Sequence, residues 1–518
     1  MQQLSELDTS FLYLESESSP MHIGGIYVLN CQDRGQPLTY DDLYNHIESR
    51  LPASRRFRQR LVEVPLKLDH PYWVDDPDFS LSHHLDQVTL DKGKNQSSKL
   101  FELAASIIST PLDRERPLWH ITLIEGLEDS KEFPGACCAL VVKIHHSAVD
   151  GVTGEELVGT LLDFTADGER KFQPVDWDPQ PLPSKARLIS NAYGSALNTP
   201  FRLANLAKDA AASAFYTLLV QRLRKLALPP SLFSAPYTEI NQPIDSSRSV
   251  AFFECSLNQL KQIKKSHSDL TLNDVVVTLC SEVLSNYLSE VCLALPDTPL
   301  IAMQPISVRS KHIDSPTGSQ LSALLISLAT DEPNLAIRMQ RIHENASASH
   351  VYSQAISATR LTQLVPSAML GLSARIYTEF QLAQKHKPLF NVPITNIPGP
   401  QYPLYFNGAR VDYQLGTAPL FDGLGLVFVI SSYAGKVTFT LTACPGVVPD
   451  LQPLINHFPK AIEKLKLDVA NTSQATLEAV KDNPDEQTVF SGLVGDIVSL
   501  FSNLFTGNGK TEAPEETK

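Results

Sequence analysis

Residues 140–157 read LVVKIHHSAVDGVTGEEL, and the change of period within them decides the fold. Ala139 to Ile144 is a short apolar run, interrupted only by Lys143, with the length and β-branching of a strand buried on both faces. It delivers His145 and His146 into a loop. Thr153 and Glu156 then make a capping box, and Leu157, Val158, Leu161 and Leu162 supply the inward stripe of a helix. A strand, a loop held at both ends and a helix make the unit of a mixed α/β fold.

The same alternation runs outward from this unit. Ile23 to Leu29 and Trp119 to Ile124 read as strands and Ser98 to Ile108 as a helix, which predicts an N-terminal α/β domain over 1–183. It closes at Pro174, Pro179, Pro181 and Pro183. The Ala-, Leu- and Arg-rich stretch 184–245 predicts a helical connector, and 246–467 a second α/β domain. In that domain Val250 to Ser256 is strand-like, and Leu272 to about Leu288 is a long helix. A closing hairpin alternates Val437, Phe439 and Leu441 with Thr438, Thr440 and Thr442, the pattern of a half-buried strand. Residues 468–518 form a polar tail with one amphipathic helix, VFSGLVGDIVSLFSNLF, at 489–505. Its polar face has no Lys or Arg, so membrane attachment there would rest on apolar area alone.

Composition narrows the function. With 43% hydrophobic and 19% charged residues, the 518-residue chain has the balance of a folded protein. A net charge of -14 is the wrong sign for a nucleic-acid partner. No apolar run approaches the ~20 residues that span a bilayer, and MQQLSELDTSFLYLES has no secretory character. The expected location is the cytoplasm. The seven cysteines are scattered without metal-site spacing, which predicts reduced thiols, with Cys137 and Cys138 as plain strand residues.

Three readings compete for the histidines: a satisfied core pair, a metal site with Asp150, and a general base. Neighbouring strand residues point to opposite faces, which disfavours shared metal ligation. A neutral imidazole titrates near 6.5 and can take a hydroxyl proton at cytoplasmic pH, so the base reading leads. In SDLTLNDVVVTLC, Thr271 is an N-cap with Asp274 three residues on, and Asn273 falls in the first helical turn. There its amide serves either as an oxyanion donor or as plain turn structure. Trp119 packs the core or lines a substrate channel, and Asn396 to Pro400 reads as a Pro-Gly turn. RRFRQR at 55–60 is the densest basic run, either acid-paired or a site for the phosphates of a ligand.

HHSAVDG at 145–151 resembles the HHxxxDG signature of CoA-dependent acyltransferases. LSELDTSFLYLES at 4–16, PMHIGG at 20–25, RPLWHITLIEGL at 116–127, LNDVVVTLC at 272–280, PISVRS at 305–310 and TNIPGPQYPLYFNGA at 395–409 narrow the resemblance to the bacterial wax ester synthase/diacylglycerol acyltransferase family. The match runs in order from about Leu4 to about Leu467. It implies two chloramphenicol-acetyltransferase-like α/β domains around a central substrate tunnel, with acyl-CoA and a long-chain alcohol or diacylglycerol as substrates. It implies His146 as the base and His145 as its orienting neighbour, with Asp150 paired to an arginine, for which Arg309 is the candidate. Gly151, Trp119 and Asn396 would meet substrate. No metal, cofactor or covalent intermediate is expected, and the surface of the inner membrane or of lipid droplets is the expected partner. Two departures stand out: Gly318-Ser319-Gln320 where many members have Gly-Asn, and Thr395-Asn396-Ile397 where Ser-Asn-Val is commoner. The alternatives are a condensation-type domain acting on carrier-bound thioesters and a non-catalytic lipid-droplet protein.

Overall fold

The computed structural model describes residues 1–93, 95–128, 130–149, 159–168, 172, 177–194, 230, 233–265, 269–292, 295–308, 320–357 and 387–472. Asp150, Gly151, Thr153, Glu156, Arg309, Gly318, Ser319 and the tail helix lie outside them.

The first half places β1 (Gln2–Gln3), α1 (Glu6–Leu14), β2 (His22–Asn30), α2 (Tyr40–Arg50), β3 (Gln59–Val62), β4 (Tyr72–Asp75), β5 (Leu85–Thr89), α3 (Gln96–Ser109), β6 (Trp119–Glu125) and β7 (Ala136–His145). The second places β8 (Ser249–Ser256), α4 (Leu257–Lys265), α5 (Leu272–Cys292), β9 (Ile301–Val308), β10 (Gln320–Ser327), α6 (Leu335–Ser357), β11 (Val392–Pro398), β12 (Tyr405–Phe406), β13 (Ala409–Thr417), β14 (Leu426–Tyr433), β15 (Lys436–Ala443) and α7 (Gln452–Asn471). Two six-stranded sheets result, ordered β12-β13-β2-β7-β6-β5 and β10-β9-β11-β14-β15-β8, beside a small β1-β4-β3 sheet. The architecture is the mixed α/β, two-domain one expected from the sequence.

β7 is central to the first sheet, and its apolar alternation is buried on both faces as its sequence demands. The exception, Lys143, caps a helix: its ammonium donates to the carbonyls of Ile107 (3.0 Å) and Thr110 (2.7 Å) at the C-terminal end of α3. Gly24 on β2 permits the pairing, because a Cβ there would stand 1.9 Å from the Val142 carbonyl oxygen. In the second domain Val275, Val276, Leu279, Val283 and Leu284 of α5 are buried with Phe439 and Phe458, the stripe that their spacing predicts.

Four sequence expectations need correction. Asn396 lies in a strand, β11, and not in a turn; the close approach comes at Gly399, whose Cβ would meet the Ser432 carbonyl oxygen at 2.5 Å. β15 is buried on both faces, with Thr438, Thr440 and Thr442 at 5%, 0% and 1% exposure. Its threonine face is covered because, after β11, the chain crosses over and lends β12 and β13 to the first sheet, laying β13 against β14 and β15. Cys31 and Cys137 form a disulfide, with Cα atoms 5.9 Å apart, since β2 and β7 are neighbours and the cysteines close a gap of 106 residues that no local spacing reveals. In the stretch read as a helical connector, a helix covers 185–194, but 233–245 has no regular structure. Pro236 and Pro243 break that segment, and Asn241 ties it to the carbonyls of Asn391 (3.1 Å) and Gly423 (2.9 Å).

Candidate active site

The two histidines stand where β7 ends. His145 is its last residue, fully buried and opposite His22 of β2, while His146 opens a single 3-10 turn and is half-buried. The main-chain N–H of His146 donates to the Met21 carbonyl at 2.7 Å, which fixes the backbone. The Phe11 ring of α1 stacks on the imidazole with centroids 3.8 Å apart. The opposite arm of the loop, from Asp150 onward, lies outside the described residues.

Each imidazole has a definable state. The Ser147 N–H donates to Nδ1 of His145 at 3.1 Å, so that nitrogen is the acceptor and Nε2 carries the proton. Nε2 faces Glu15 Oε1 across 3.5 Å, a Coulombic contact longer than a hydrogen bond. Burial lowers the His145 pKa against the pull of Glu15, so the ring is neutral. His146 is pushed down to about 4, by burial first; a favourable contact with its own main-chain carbonyl partly offsets this, and His145 adds to it. Its Nδ1 is buried and makes no well-formed hydrogen bond. At neutral pH His146 is an uncharged imidazole able to accept a proton.

Behind the pair stands a carboxylate that sequence reasoning passed over. Glu15 follows the last residue of α1, and Arg114 clamps it: Nε donates to Oε2 at 2.7 Å, Nη2 reaches the same oxygen, and Nη2 also donates to the Leu12 carbonyl at 2.8 Å. Burial alone would raise the Glu15 carboxyl, but its contact with His145 and the Arg114 guanidinium bring it down to about 2. His22 completes the cluster, its Nε2 3.7 Å from Glu15 Oε1, with a pKa pushed down to about 3 chiefly by burial. Glu15 and His22 sit in the quoted stretches 4–16 and 20–25, but Arg114 lies 99 residues from Glu15. The available signal was a His, His22, alone among the apolar and glycine residues of 20–25, and a Glu, Glu15, at the end of the apolar run Phe11 to Leu14.

A second polar cluster forms at the start of α5. Thr271 and Asp274 make the expected capping box: Asp274 Oδ2 accepts the Thr271 N–H (2.7 Å) and hydroxyl (2.9 Å), and the Asp274 N–H donates to Thr271 Oγ1 (3.2 Å). His343 of α6 adds its Nδ1 at 2.8 Å from the same carboxylate oxygen. Asn273 is bracketed by amides, accepting from Asn396 Nδ2 at 3.1 Å and donating to Gln304 Oε1 at 3.3 Å. The structure thus joins Asn273 to Asn396 and separately joins His145 to Glu15, with no hydrogen bond between the two clusters among the described residues.

Trp119 opens β6 and packs the core. Its indole N–H donates to the Phe57 carbonyl at 2.8 Å and its ring stacks on His84 at 4.5 Å. It borders an apolar cavity of about 10 Å³ with Ile144, Ala148 and Leu161, about the volume that one water needs. The 55–60 run is internally paired: Arg55 meets Asp75 at 2.5 Å, Arg58 lies over Trp177 at 4.3 Å, and Arg60 donates to the Glu115 carbonyl at 2.9 Å.

Both parts of the chain match one family. The wax ester synthase/diacylglycerol acyltransferase catalytic domain matches residues 4–276, and the C-terminal domain of the same enzymes matches residues 317–466. A Mycobacterium tuberculosis protein provisionally named a diacylglycerol O-acyltransferase is 32% identical over 473 residues, 90% of each chain. A second M. tuberculosis protein with that provisional name is 31% identical, over 89% of this chain and 97% of its own. The structure resembles the wax ester synthase/diacylglycerol acyltransferase of Marinobacter aquaeolei, at TM-score 0.61 and 28% identity, over 90% of this chain and 100% of that one. The starter condensation domain of rhizomide synthetase, at 14% identity, TM-score 0.50 and 91% and 95% coverage, shares the fold. The chain carrying this histidine pair is an acyltransferase that belongs to the wax ester synthase/diacylglycerol acyltransferase family.

Proposed function

We propose that the protein transfers a long-chain acyl group from acyl-CoA to the hydroxyl of diacylglycerol or of a long-chain alcohol, with His146 as general base. The observation that carries this is the neutral, half-buried imidazole at the end of β7, held by Met21 and Phe11. Nδ1 is enclosed, which leaves Nε2 as the working atom. It takes the hydroxyl proton as the oxygen attacks the thioester carbonyl. The tetrahedral oxyanion collapses, the C–S bond breaks, and the proton passes from His146 to the CoA thiolate. Neither an acyl-enzyme nor a cofactor enters this scheme. His145, fixed by Ser147 and Glu15, positions its neighbour. Asn273, at the positive end of α5, is the candidate oxyanion donor, with Asn396 orienting it.

The name of the M. tuberculosis relative favours diacylglycerol as acceptor, and that of the Marinobacter enzyme keeps the alcohol beside it. No helix among the described residues is long and apolar enough to cross a membrane. We place the protein in the cytoplasm as a peripheral visitor to the inner membrane or to lipid droplets, where these acceptors reside.

The test is thiol release from palmitoyl-CoA with hexadecanol, with dioleoylglycerol and with no acceptor. Acceptor-dependent release by the wild type, lost in a folded His146→Ala protein, is expected, and the ratio of the two acceptors gives the main product. Release that persists in His146→Ala, or needs no acceptor, would remove the mechanism.

A further inference from the structure

The turn after β3 strains its backbone to hold an apolar side chain in water. The Val64 carbonyl accepts the Lys67 N–H at 2.9 Å, closing a turn with Pro65 second and Leu66 third. Leu66 has φ 57° and ψ 13°, and Lys67 has φ 53°. Side chains crowd their own backbone in this left-handed region, and a turn with proline second ordinarily has glycine third. A glycine would hold the turn without strain, so the leucine contributes only its side chain. That side chain buries almost nothing: Leu66 is 87% exposed and Leu68 50%.

The turn also touches α1, the helix that ends at Glu15. The Lys67 ammonium sits 5.1 Å over the Tyr13 ring of α1, and Leu14, 38% exposed, is the next residue. One residue further along, Glu15 meets Arg114 and His145. The one cation of the turn is neutralised by Glu63 at 3.9 Å, and the chain as a whole is acidic, so this surface is not made for anionic headgroups.

We propose that Leu66 and Leu68, with the Tyr13 ring under Lys67, insert into the surface of a zwitterionic phospholipid bilayer and set the histidine site over the lipid acceptor dissolved there. This rests on the lipid-acceptor reading above. Two leucines and an aromatic ring suit weak, reversible attachment, from which the enzyme can leave with its product.

The full chain is floated with phosphatidylcholine vesicles containing dioleoylglycerol, comparing wild type, Leu66→Gly and Leu66→Asp/Leu68→Asp. The partition coefficient should fall about tenfold or more per leucine lost. The melting temperature of Leu66→Gly should stay level or rise as the strain is relieved. Turnover on vesicle-borne dioleoylglycerol should fall with binding, while turnover on a water-soluble short-chain alcohol holds. In a Leu66→Trp protein, the indole emission added over that of the wild type should shift to the blue on adding vesicles. Variants that float like the wild type, or added emission from the Leu66→Trp protein that does not shift, would overturn the proposal. Absence of turnover on both the vesicle-borne and the soluble acceptor in every protein would instead overturn the acyl-transfer reading, with flotation still deciding the surface.

Discussion

Each half of the molecule sets a carboxylate against a histidine, and the two pairs behave in opposite ways. In the first, Glu15 faces His145 across 3.5 Å, and the histidine pKa is lowered. In the second, Asp274 meets Nδ1 of His343 at 2.8 Å, and the histidine pKa is raised, by that hydrogen bond first. Depth and competition explain the difference. His145 is fully buried and its carboxylate is already claimed by Arg114, so desolvation wins and the imidazole stays neutral. His343 is partly solvated and its carboxylate is clamped by no arginine among the described residues, so it favours the charged form and ties α6 to the cap of α5. Adjacency of His and carboxylate does not by itself make a catalytic dyad.

The largest effect that tests this contrast is expected at Glu15. Glu15→Ala strands His145 and Arg114, and should lower kcat about 10²-fold and cost about 1–3 kcal/mol of stability by denaturant titration. Glu15→Gln should recover most of the stability and little of the rate, because the amide keeps the shape and loses the charge. Unaltered kcat in a folded Glu15→Ala protein would reduce Glu15 to scaffolding.

At the second pair the damage should be confined to stability. Asp274→Ala removes the carboxylate half of the capping box and the His343 contact, and is expected to cost about 0.5–2 kcal/mol. Because Asn273 is held separately by Asn396 and Gln304, turnover per folded molecule should change less than at Glu15. A fall in kcat equal to that of Glu15→Ala would erase the distinction.

The pH dependence should split in the same way. His146 titrates near 4 in the fold and near 6.5 in the unfolded chain, so the unfolded state binds more protons between these values. Its contribution to stability is present above 6.5 and is lost as pH falls toward 4; His22, at about 3, acts in the same direction. Glu15 contributes above its ordinary 4.5 and is lost as pH falls toward 2. His343 has the opposite sign, contributing below 6.5 and fading as pH rises through its raised value. Thermal denaturation of wild type and His343→Ala across pH 5 to 8 should show the difference between them shrinking as pH rises. The acid limb of kcat/KM should lie well below 6.5.

What the sequence disclosed was whatever depends on neighbours along the chain. The buried strand before His145, the capping box of Thr271 and Asp274, and the stripe of α5 follow from period and spacing, and each is where its pattern puts it. What stayed hidden depends on the crossing of distant segments. Glu15 gains its meaning from Arg114, Cys31 from Cys137, and the threonine face of β15 from a strand that crosses to the other sheet. Asn396 was quoted as part of a motif, yet its place in β11 beside Asn273 depends on tertiary pairing. The identity of the motif residues was thus legible in the sequence, while the electrostatics that give the two histidine pairs different characters were not.

The most direct measurement makes the same substitution in both halves: acceptor-dependent thiol release from palmitoyl-CoA by folded His146→Ala and His343→Ala proteins. The account predicts a loss of at least about 10²-fold in the first and near wild-type kcat in the second. Comparable turnover in the two, or the larger loss at His343, would contradict it.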